Sequence, residues 1–201
     1  MISTHHQKAT ENLVIISGPS GVGKGTVISR LLQAYPHVKL AISATTRKPR
    51  EGEVDGLHYF FLTEEQFDQE ILNNGFLEWC QVHANRYGTL KSEVDAMLSK
   101  GNVVILEIDV QGAKKVKALC PQAKMIFILP PSIEVLKDRL LTRKTESESV
   151  IAKRLQVAQD ELKSAPEYDH QLVNLKIDDT VYTLAKTIGL TERENLNDTC
   201  L

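Results

Sequence analysis

Short apolar runs and helical periodicities alternate along this chain, and their order predicts a parallel sheet with helices packed on it. Runs such as 103–109 and 125–129 are apolar at nearly every position, which is typical of strands buried on both faces. The predicted strands cover 13–17, 38–43, 103–109, 125–129 and 171–175. The predicted helices cover 26–35 and 180–188, together with two that begin at Ser132 and Ile151. The pattern therefore indicates an α/β fold.

Residues 43–98 have a different pattern, in which helix and strand signals are mixed. Thr63 and Gln66 match a capping box, which predicts the start of a helix. The inward positions of that helix are Phe67, Ile71 and Leu72. The stretch 44–62 is expected to begin as a basic loop and to end as a short aromatic strand. Another strand is expected over 76–82 and a turn over 85–89. A second helix places Leu90, Val94, Met97 and Leu98 on one face. This segment is predicted to be a mixed α+β insertion.

The most specific motif is a glycine-rich loop between the first predicted strand and the first predicted helix. Its members are Gly18, Pro19, Ser20, Gly21, Val22, Gly23, Lys24, Gly25 and Thr26. They match G-x-x-x-x-G-K without a gap, in the strand–loop–helix context that a nucleotide phosphate-binding loop requires. Backbone N–H groups and the helix N-terminus would hold the phosphates, and Lys24 would reach the β- and γ-phosphates. The plain alternative is a glycine turn without a ligand, and the motif alone does not indicate a reaction.

Three arginines in the second half of the chain are candidates for phosphate chemistry. Arg139 and Arg143 are four residues apart, so a helix projects both in the same direction, and Arg154 lies beyond a polar segment. Guanidinium groups that close over a phosphate loop would stabilise the charge of a transferred phosphoryl group. A solvated helix face is the ordinary alternative.

A basic loop in the insertion predicts a second phosphate site. Arg47 and Arg50 flank Pro49 in a stretch that runs from Ser43 to Tyr59. Arginine forks suit a phosphate group. The alternative is an exposed basic loop that binds nothing.

Three acidic residues complete the candidate chemistry. Glu78 lies between apolar neighbours, where a carboxylate needs partners, and the N1–H and 2-amino donors of a guanine base would fit it. Glu107 and Asp109 end a buried strand, and in phosphate-loop proteins such an acid often reaches magnesium. For Glu78 the alternative is a charge at a strand edge.

Composition narrows the class of protein. The 201 residues carry a formal net charge of -2 with a pI near 6.3, so no general attraction to nucleic acid or membranes is expected. No apolar run approaches the ~20 residues of a transmembrane helix, and residues 1–11 lack a signal-peptide core. The 3 cysteines are widely spaced, which favours reduced thiols in the cytoplasm. Residues 1–11 and the polar tail 191–201 are expected to be disordered.

With these residues in hand, the chain resembles the guanylate kinases over about residues 12–190, nearly its whole length. The shared motifs are 18–24, 45–53, 56–60, 76–78, 87–89 and 107–112. The segment Thr45-Thr46-Arg47-Lys48-Pro49-Arg50-Glu51-Gly52-Glu53 is the most specific of them. The resemblance implies a P-loop kinase core formed by 12–42, 99–132 and 155–190. It also implies a GMP-binding subdomain, 43–98, and a helical lid, 133–154.

The resemblance also implies roles for particular residues. The catalytic residues would be Lys24, Arg139, Arg143 and Arg154. The ATP site would be the phosphate loop, 18–26, with Asn174 near the adenine. The GMP site would contain Ser43, Glu78 and Asp109 at the base, Arg47, Arg50, Tyr59 and Tyr87 at the phosphate, and also Glu53, Gly88 and Thr89. Magnesium would accompany ATP, with Thr26 and Glu107 as its candidate ligands. ATP and GMP are the implied partners, and the oligomeric state is left open.

The chain departs from the family pattern at three positions. Gly25 replaces the usual Ser or Thr after Lys24, so direct hydroxyl ligation of magnesium there is impossible, although adenylate kinases share this Gly-Lys-Gly-Thr run. Glu107 replaces an aspartate, and Lys144 stands where glycine is common after Arg143.

Two other functions compete with the GMP kinase. One is a non-enzymatic guanylate-kinase-like module that binds a phosphopeptide, but such modules lose the phosphate loop and the lid arginines, which are both present here. The other is a kinase of a different small acceptor, such as a sugar phosphate, which would not need Ser43 and Glu78 together with the double-arginine loop.

Overall fold

The computed structural model describes residues 10–82, 84–141 and 148–190. Its strands are β1 (Leu13–Ser17), β2 (Val38–Leu40), β3 (Ala44–Thr45), β4 (Phe60–Phe61), β5 (Phe76–Val82), β6 (Asn85–Leu90), β7 (Val103–Glu107), β8 (Lys124–Leu129) and β9 (His170–Val173). Its α-helices are α1 (Lys24–Ala34), α2 (Glu64–Leu72), α3 (Lys91–Leu98), α4 (Val110–Leu119), α5 (Ile133–Leu141), α6 (Glu148–Leu162) and α7 (Ile177–Thr187). Short 3₁₀ turns cover Thr10–Asn12 and Ala165–Glu167.

The main sheet has five parallel strands in the order β2-β7-β1-β8-β9. β1 lies at its centre, where Ile16 is level with Glu107 of β7 and Ile126 of β8. Because all five strands run the same way, their carboxyl ends share one edge, which is where ligands bind in open α/β sheets. The predicted α/β class with a parallel sheet is confirmed.

Alternate residues of the central strands build two cores, one on each face of the sheet. Val14 and Ile16 belong to the core beneath α1 and α7, whereas Leu13 and Ile15 belong to the core beneath α3 and α4. All four side chains are at most 1% exposed. Burial on both faces explains why these strands read as continuous apolar runs.

A second sheet lies within the predicted insertion, with strand order β4-β3-β6-β5. It covers a smaller core in which the rings of Phe67 and Phe76 are 4.4 Å apart. The predicted capping box is confirmed: Thr63 accepts a hydrogen bond from the Gln66 N–H, and the Gln66 side chain accepts one from the Thr63 N–H. This cap fixes the start of α2, which places Phe67 inward.

Several local predictions were wrong. The strand predicted over 38–43 ends at Leu40, and the next strand, β3, joins the other sheet. Residues 85–89, predicted as a turn, form most of β6. Their sequence is polar, and the strand is stabilised by pairing with β3 and β5 on either side. Leu72 is 72% exposed instead of inward. Helix α4 was not assigned from the sequence.

The ends of the chain and the lid are described only in part. Thr10 and Glu11, placed in the disordered N-terminus by the sequence, belong to a 3₁₀ turn. The predicted tail, 191–201, lies outside the described residues, as does 142–147 within the predicted lid. Within the described ranges, no helix is both long enough and apolar enough to cross a membrane.

Candidate active site

The phosphate-binding loop connects β1 to α1 at the carboxyl edge of the main sheet. Gly18 and Gly23 have φ of 149° and 99°, in the region that favours glycine. A Cβ at Gly18 would lie 2.4 Å from the Ile128 carbonyl oxygen, so the loop can pass this close to β8 only with glycine there. Gly23 is the N-cap of α1 and offers no side-chain cap, which leaves the first helical N–H groups for an anion.

Lys24 curls back over this loop. Its Nζ donates to the carbonyl oxygens of Gly18, at 2.5 Å, and Pro19, at 3.4 Å. Burial lowers the pKa of Lys24, and the nearby carboxylates of Glu107 and Glu161 oppose that shift. Partial burial in the cleft raises the pKa of Glu107, and the charge of Lys24 opposes that shift; by its total surface area Glu107 is an exposed residue. The ammonium group therefore lies at the mouth of the loop, among acceptors and carboxylates that favour its charged form against the effect of burial.

A cleft of about 500 Å³ joins the loop to the insertion. Its lining includes Gly18, Ser20, Lys24, Ser43, Tyr59, Glu107, Asp109 and Glu161. Some residues predicted for the ATP site, the GMP site and the metal thus face one cavity, whereas Arg47, Arg50, Glu78 and Tyr87 are not among its lining residues. A second cavity of about 440 Å³ lies away from this cleft and includes none of the predicted site residues.

The arginines predicted for the lid reach the phosphate loop from two helices. Arg139 of α5 donates to the Val22 carbonyl oxygen at 3.0 Å and to that of Asn174 at 3.1 Å. Arg154 of α6 donates to the Ser20 hydroxyl at 2.5 Å. Arg143 lies outside the described residues.

Asn174 follows β9 and is 2% exposed. Its amide donates to the Val22 carbonyl oxygen at 2.8 Å and accepts from the Thr180 hydroxyl at 3.1 Å. In this conformation the side chain braces the phosphate loop against α7, and its predicted contact with adenine remains a prediction.

The basic loop of the insertion is organised by an ion pair. Arg47 donates through two nitrogens to the two carboxylate oxygens of Glu53, each at 2.9 Å, and the Glu53 carboxylate also accepts from the Arg50 N–H at 2.7 Å. These bonds lower the pKa of Glu53 to about 2 and raise that of Arg47. The Arg47 guanidinium lies 5.2 Å from the ring centre of Tyr59, which is 6.1 Å from that of Tyr87. One cationic group and two phenols therefore meet on one side of the insertion.

Glu78 is a buried carboxylate on β5, 8% exposed. It accepts a hydrogen bond from the Thr89 hydroxyl at 2.7 Å. Burial raises the pKa of Glu78. The hydrogen bond from Thr89 opposes that rise, and the charge of Asp109 adds to it. A Cβ at Gly88 would lie 2.9 Å from the Glu78 carbonyl oxygen, so glycine there permits the close pairing of β5 and β6.

Asp109 and Ser43 approach the same region from other elements. Asp109 caps α4, accepting from the Gly112 N–H at 2.7 Å, and its side chain is exposed in the cleft. Ser43 lines the cleft just before β3. The three residues predicted to read a base thus come from three separate parts of the fold.

The residues suited to magnesium offer a partial set of ligands. Glu107 faces Lys24 at the end of β7, Thr26 is exposed on the first turn of α1, and Gly25 has no side chain to contribute. Within the described ranges, no group of three or more His, Cys, Asp or Glu side chains is placed to hold a metal. Mg²⁺ commonly takes one or two carboxylates and completes its shell with nucleotide phosphates and water, so the residues present fit a nucleotide-borne ion.

Glu161 is an acidic cleft residue that was not predicted from the sequence. It lies on α6, three residues after the buried Ala158 and next to the inward position Leu162. The sequence signal that could have identified Glu161 is a carboxylate placed at helical spacing from inward-facing apolar residues.

The fold and the cleft together define a class of protein. The protein combines a parallel sheet, a phosphate-binding loop and arginines on later helices with an insertion that carries its own basic loop and lines the same cleft through Ser43 and Tyr59. These are the parts of a P-loop phosphotransferase with a small acceptor.

Comparison with known proteins gives the family. The family model for guanylate kinase matches residues 10–190. The chain is 50% identical over 177 residues to a guanylate kinase of Synechocystis, covering 88% of this chain and 93% of that protein. It is 49% identical over 181 residues to one of Desulfitobacterium hafniense, covering 90% of each. The crystal structure of guanylate kinase from Anaplasma phagocytophilum matches with a TM-score of 0.69 at 29% identity, covering 88% of this chain and 83% of that one.

The chain belongs to the guanylate kinase family. The resemblance stated from the motifs is confirmed, and the protein is a phosphotransferase. The interpretation as a non-enzymatic module loses its support, because relatives covering most of the chain are guanylate kinases.

Proposed function

We propose that this protein transfers the γ-phosphoryl group of ATP to GMP, giving ADP and GDP, by in-line displacement in a site that a lid closes. The observation that carries the proposal is the single cleft in which the phosphate loop and Lys24 face Ser43, Tyr59 and Asp109 of the acceptor side. In-line transfer requires the donor phosphate and the acceptor phosphate to meet in one cavity.

On the donor side, the loop N–H groups and Lys24 hold the triphosphate. Lys24 Nζ bonds to the Gly18 and Pro19 carbonyl oxygens of the loop, and in the proposed reaction it turns from them to the phosphates. Arg139, Arg154 and, by the sequence prediction, Arg143 stabilise the charge that builds up between donor and acceptor. Magnesium, held by the phosphates with Glu107 and Thr26 nearby, neutralises part of that charge when bound.

On the acceptor side, Arg47, Arg50, Tyr59 and Tyr87 hold the GMP phosphate. The fork of Arg47 is already oriented by Glu53, which lowers the conformational cost of binding an anion. The base is read by Glu78, which accepts from the two guanine donors, while Ser43 and Asp109 complete the contact. Thr89 and Gly88 position the Glu78 carboxylate and its strand.

The lid is residues 133–154, between the core segments. Its two described helices already bond to the phosphate loop through Arg139 and Arg154. Closure would bring these groups over the transferred phosphoryl and exclude water. We place the reaction in the cytoplasm, where ATP and GMP are available; Cys80 and Cys120 are unpaired thiols, as reduced surroundings require.

The decisive experiment supplies the purified chain with ATP, Mg²⁺ and each nucleoside monophosphate in turn, and separates the products by chromatography. GDP from GMP, with far less product from AMP, CMP or UMP, is the expected result. Equal turnover of several nucleotides, or none with GMP, would reject the proposal.

A further inference from the structure

Glu161 places a carboxylate beside the proposed triphosphate site, where a negative charge is not expected. Its side chain lines the cleft together with Ser20 and Lys24 of the phosphate loop. One carboxylate oxygen, Oε2, is buried and has no hydrogen-bond partner among the described residues. A negative group this close to a triphosphate site repels the phosphates, and a buried acceptor without a partner is unfavourable. Such a residue needs a compensating role.

Its place on α6 indicates what that role is. Arg154 and Glu161 are seven residues apart, two turns of a helix, so both project toward the same side. Arg154 donates to the Ser20 hydroxyl, while the Ser20 backbone N–H faces the Glu161 carboxylate. Helix α6 therefore bonds to the Ser20 side chain through Arg154 and places the Glu161 carboxylate beside the Ser20 backbone.

The same carboxylate acts on Lys24. The ammonium group of Lys24 is bonded to the loop carbonyls, and the charges facing it come from Glu107 at the end of β7 and Glu161 on α6. These two carboxylates come from different elements and line the same cleft as Lys24, so the ammonium lies in a field to which both contribute.

We propose that Glu161 is a positioning residue for phosphoryl transfer: from the lid-side helix α6 its carboxylate holds Ser20 and Lys24 of the phosphate loop in the geometry that the transition state requires. This inference rests on the proposed kinase function and assigns a further residue to the same site. Glu161 contributes to turnover through Lys24 and Ser20, and it opposes ATP binding through its charge.

That combination produces a signature that a merely structural residue does not have. In Glu161→Gln, an isosteric change, kcat for GMP phosphorylation should fall by about tenfold or more, because the lysine is no longer oriented. The Kd of ATP, measured by calorimetry without GMP, should stay the same or become tighter, since a negative charge beside the phosphates is gone. A residue that only supports the fold would weaken ATP binding, lower kcat and lower the Tm together.

The controls use the same helix. Asp160→Asn removes a neighbouring carboxylate that is exposed and paired with Lys163, and it should leave kcat and the Kd within about twofold of wild type. Glu161→Asp keeps the charge on a shorter side chain and should recover part of the lost kcat. If the Gln variant does not fold, Glu161→Asp tests the positioning role by itself: kcat should fall below that of wild type while the Kd of ATP is unchanged, and a wild-type kcat would overturn the inference.

A kcat for Glu161→Gln within about threefold of wild type would overturn the inference, as would a lower kcat accompanied by weaker ATP binding. The wild-type assay separates the two proposals. If wild type does not phosphorylate GMP, the function fails; if it does and Glu161→Gln behaves normally, only the role of Glu161 fails.

Discussion

The two sides of the cleft are built by different means. On the core side, the phosphate loop presents backbone groups, and its shape is set by glycine conformations and the close approach of Gly18 to Ile128. On the insertion side, the recognition that we propose depends on charged side chains that are already partnered within the protein, Arg47 with Glu53 and Glu78 with Thr89. A site made of backbone dipoles is formed when the chain folds, whereas a site made of charges needs partners that keep those charges in place.

This difference has a chemical consequence. Backbone donors recognise any phosphate, so the loop side supplies catalysis with little selectivity. In the proposed function the insertion side distinguishes one nucleotide from another, which only side chains at the base edge can do. Substitutions on the core side should therefore lower turnover, whereas substitutions on the insertion side should lower selectivity.

The largest effect is expected for Lys24→Ala, which removes the one full positive charge that the loop itself carries. Turnover of GMP should fall by about 10²–10³-fold, since a charge aimed at the transferred phosphoryl group is lost. The measurement is kcat in a coupled assay, with circular dichroism to establish that the protein is folded. Lys100→Ala, an exposed lysine after α3, is the matched control. Near-normal turnover in folded Lys24→Ala would contradict the assignment of the loop.

Glu78→Gln should change selectivity. GMP and AMP share phosphate and sugar, so discrimination depends on the base, and an ionised Glu78 accepts from both guanine donors but faces a lone pair at adenine N1. Losing a hydrogen bond to a charged group should reduce the GMP/AMP ratio of kcat/KM by about 10- to 100-fold, mainly through lower GMP activity. Both constants are measured in wild type, in Glu78→Gln and in Glu65→Gln, an exposed carboxylate of α2 that should have no effect. An unchanged ratio would make Glu78 structural and leave base recognition to Ser43 and Asp109.

Arg139→Ala tests whether the lid side acts in the transition state. A charge that comes into position on closure should lower kcat by about tenfold while ATP affinity in the open state changes less. Arg139→Lys keeps the positive charge but loses the guanidinium group that donates to both the Val22 and Asn174 carbonyl oxygens. It therefore separates the effect of the charge from the effect of these two hydrogen bonds. The same kcat effect is expected for Arg143→Ala. A large loss of ATP affinity with unchanged kcat would identify these arginines as ground-state binders.

The smallest effect is expected for Glu53→Gln, which removes the partner of Arg47. The pKa of Glu53 is lowered from 4.5 to about 2, so its ion pair stabilises the folded protein above pH 4.5, and that contribution disappears as the pH falls toward 2. Glu53→Gln should therefore lower the Tm slightly at neutral pH, and the difference from wild type should shrink on acidification below about pH 4.5. Thermal unfolding of both proteins across this range is the measurement. A difference that is constant with pH would mean that the ion pair is not its source.

Local patterns were sufficient for the central strands of the main sheet and for the phosphate loop, although helix α4 on the same sheet was missed. Continuous apolar runs predicted β1, β7 and β8, and spacing within nine residues identified the phosphate loop, because each signal is complete within one short segment. The capping box of α2 was predicted for the same reason. Strand β6 was missed because it has no apolar alternation and owes its order to β3 and β5 on either side.

The sequence by itself determined the chemistry that is available: a phosphate loop, a set of arginines, and the acids that a purine and a metal would use. Only the tertiary structure decided how these groups are partnered. It pairs Arg47 with Glu53, uses Asn174 and Arg139 to brace the loop, and brings Glu161 to Ser20 and Lys24 across more than a hundred residues. Residue types and short spacings can be read directly from the sequence. The distances between segments that are far apart in the sequence depend on strand order and packing, so hydrogen bonds between them form only when the sheet brings the segments to one edge.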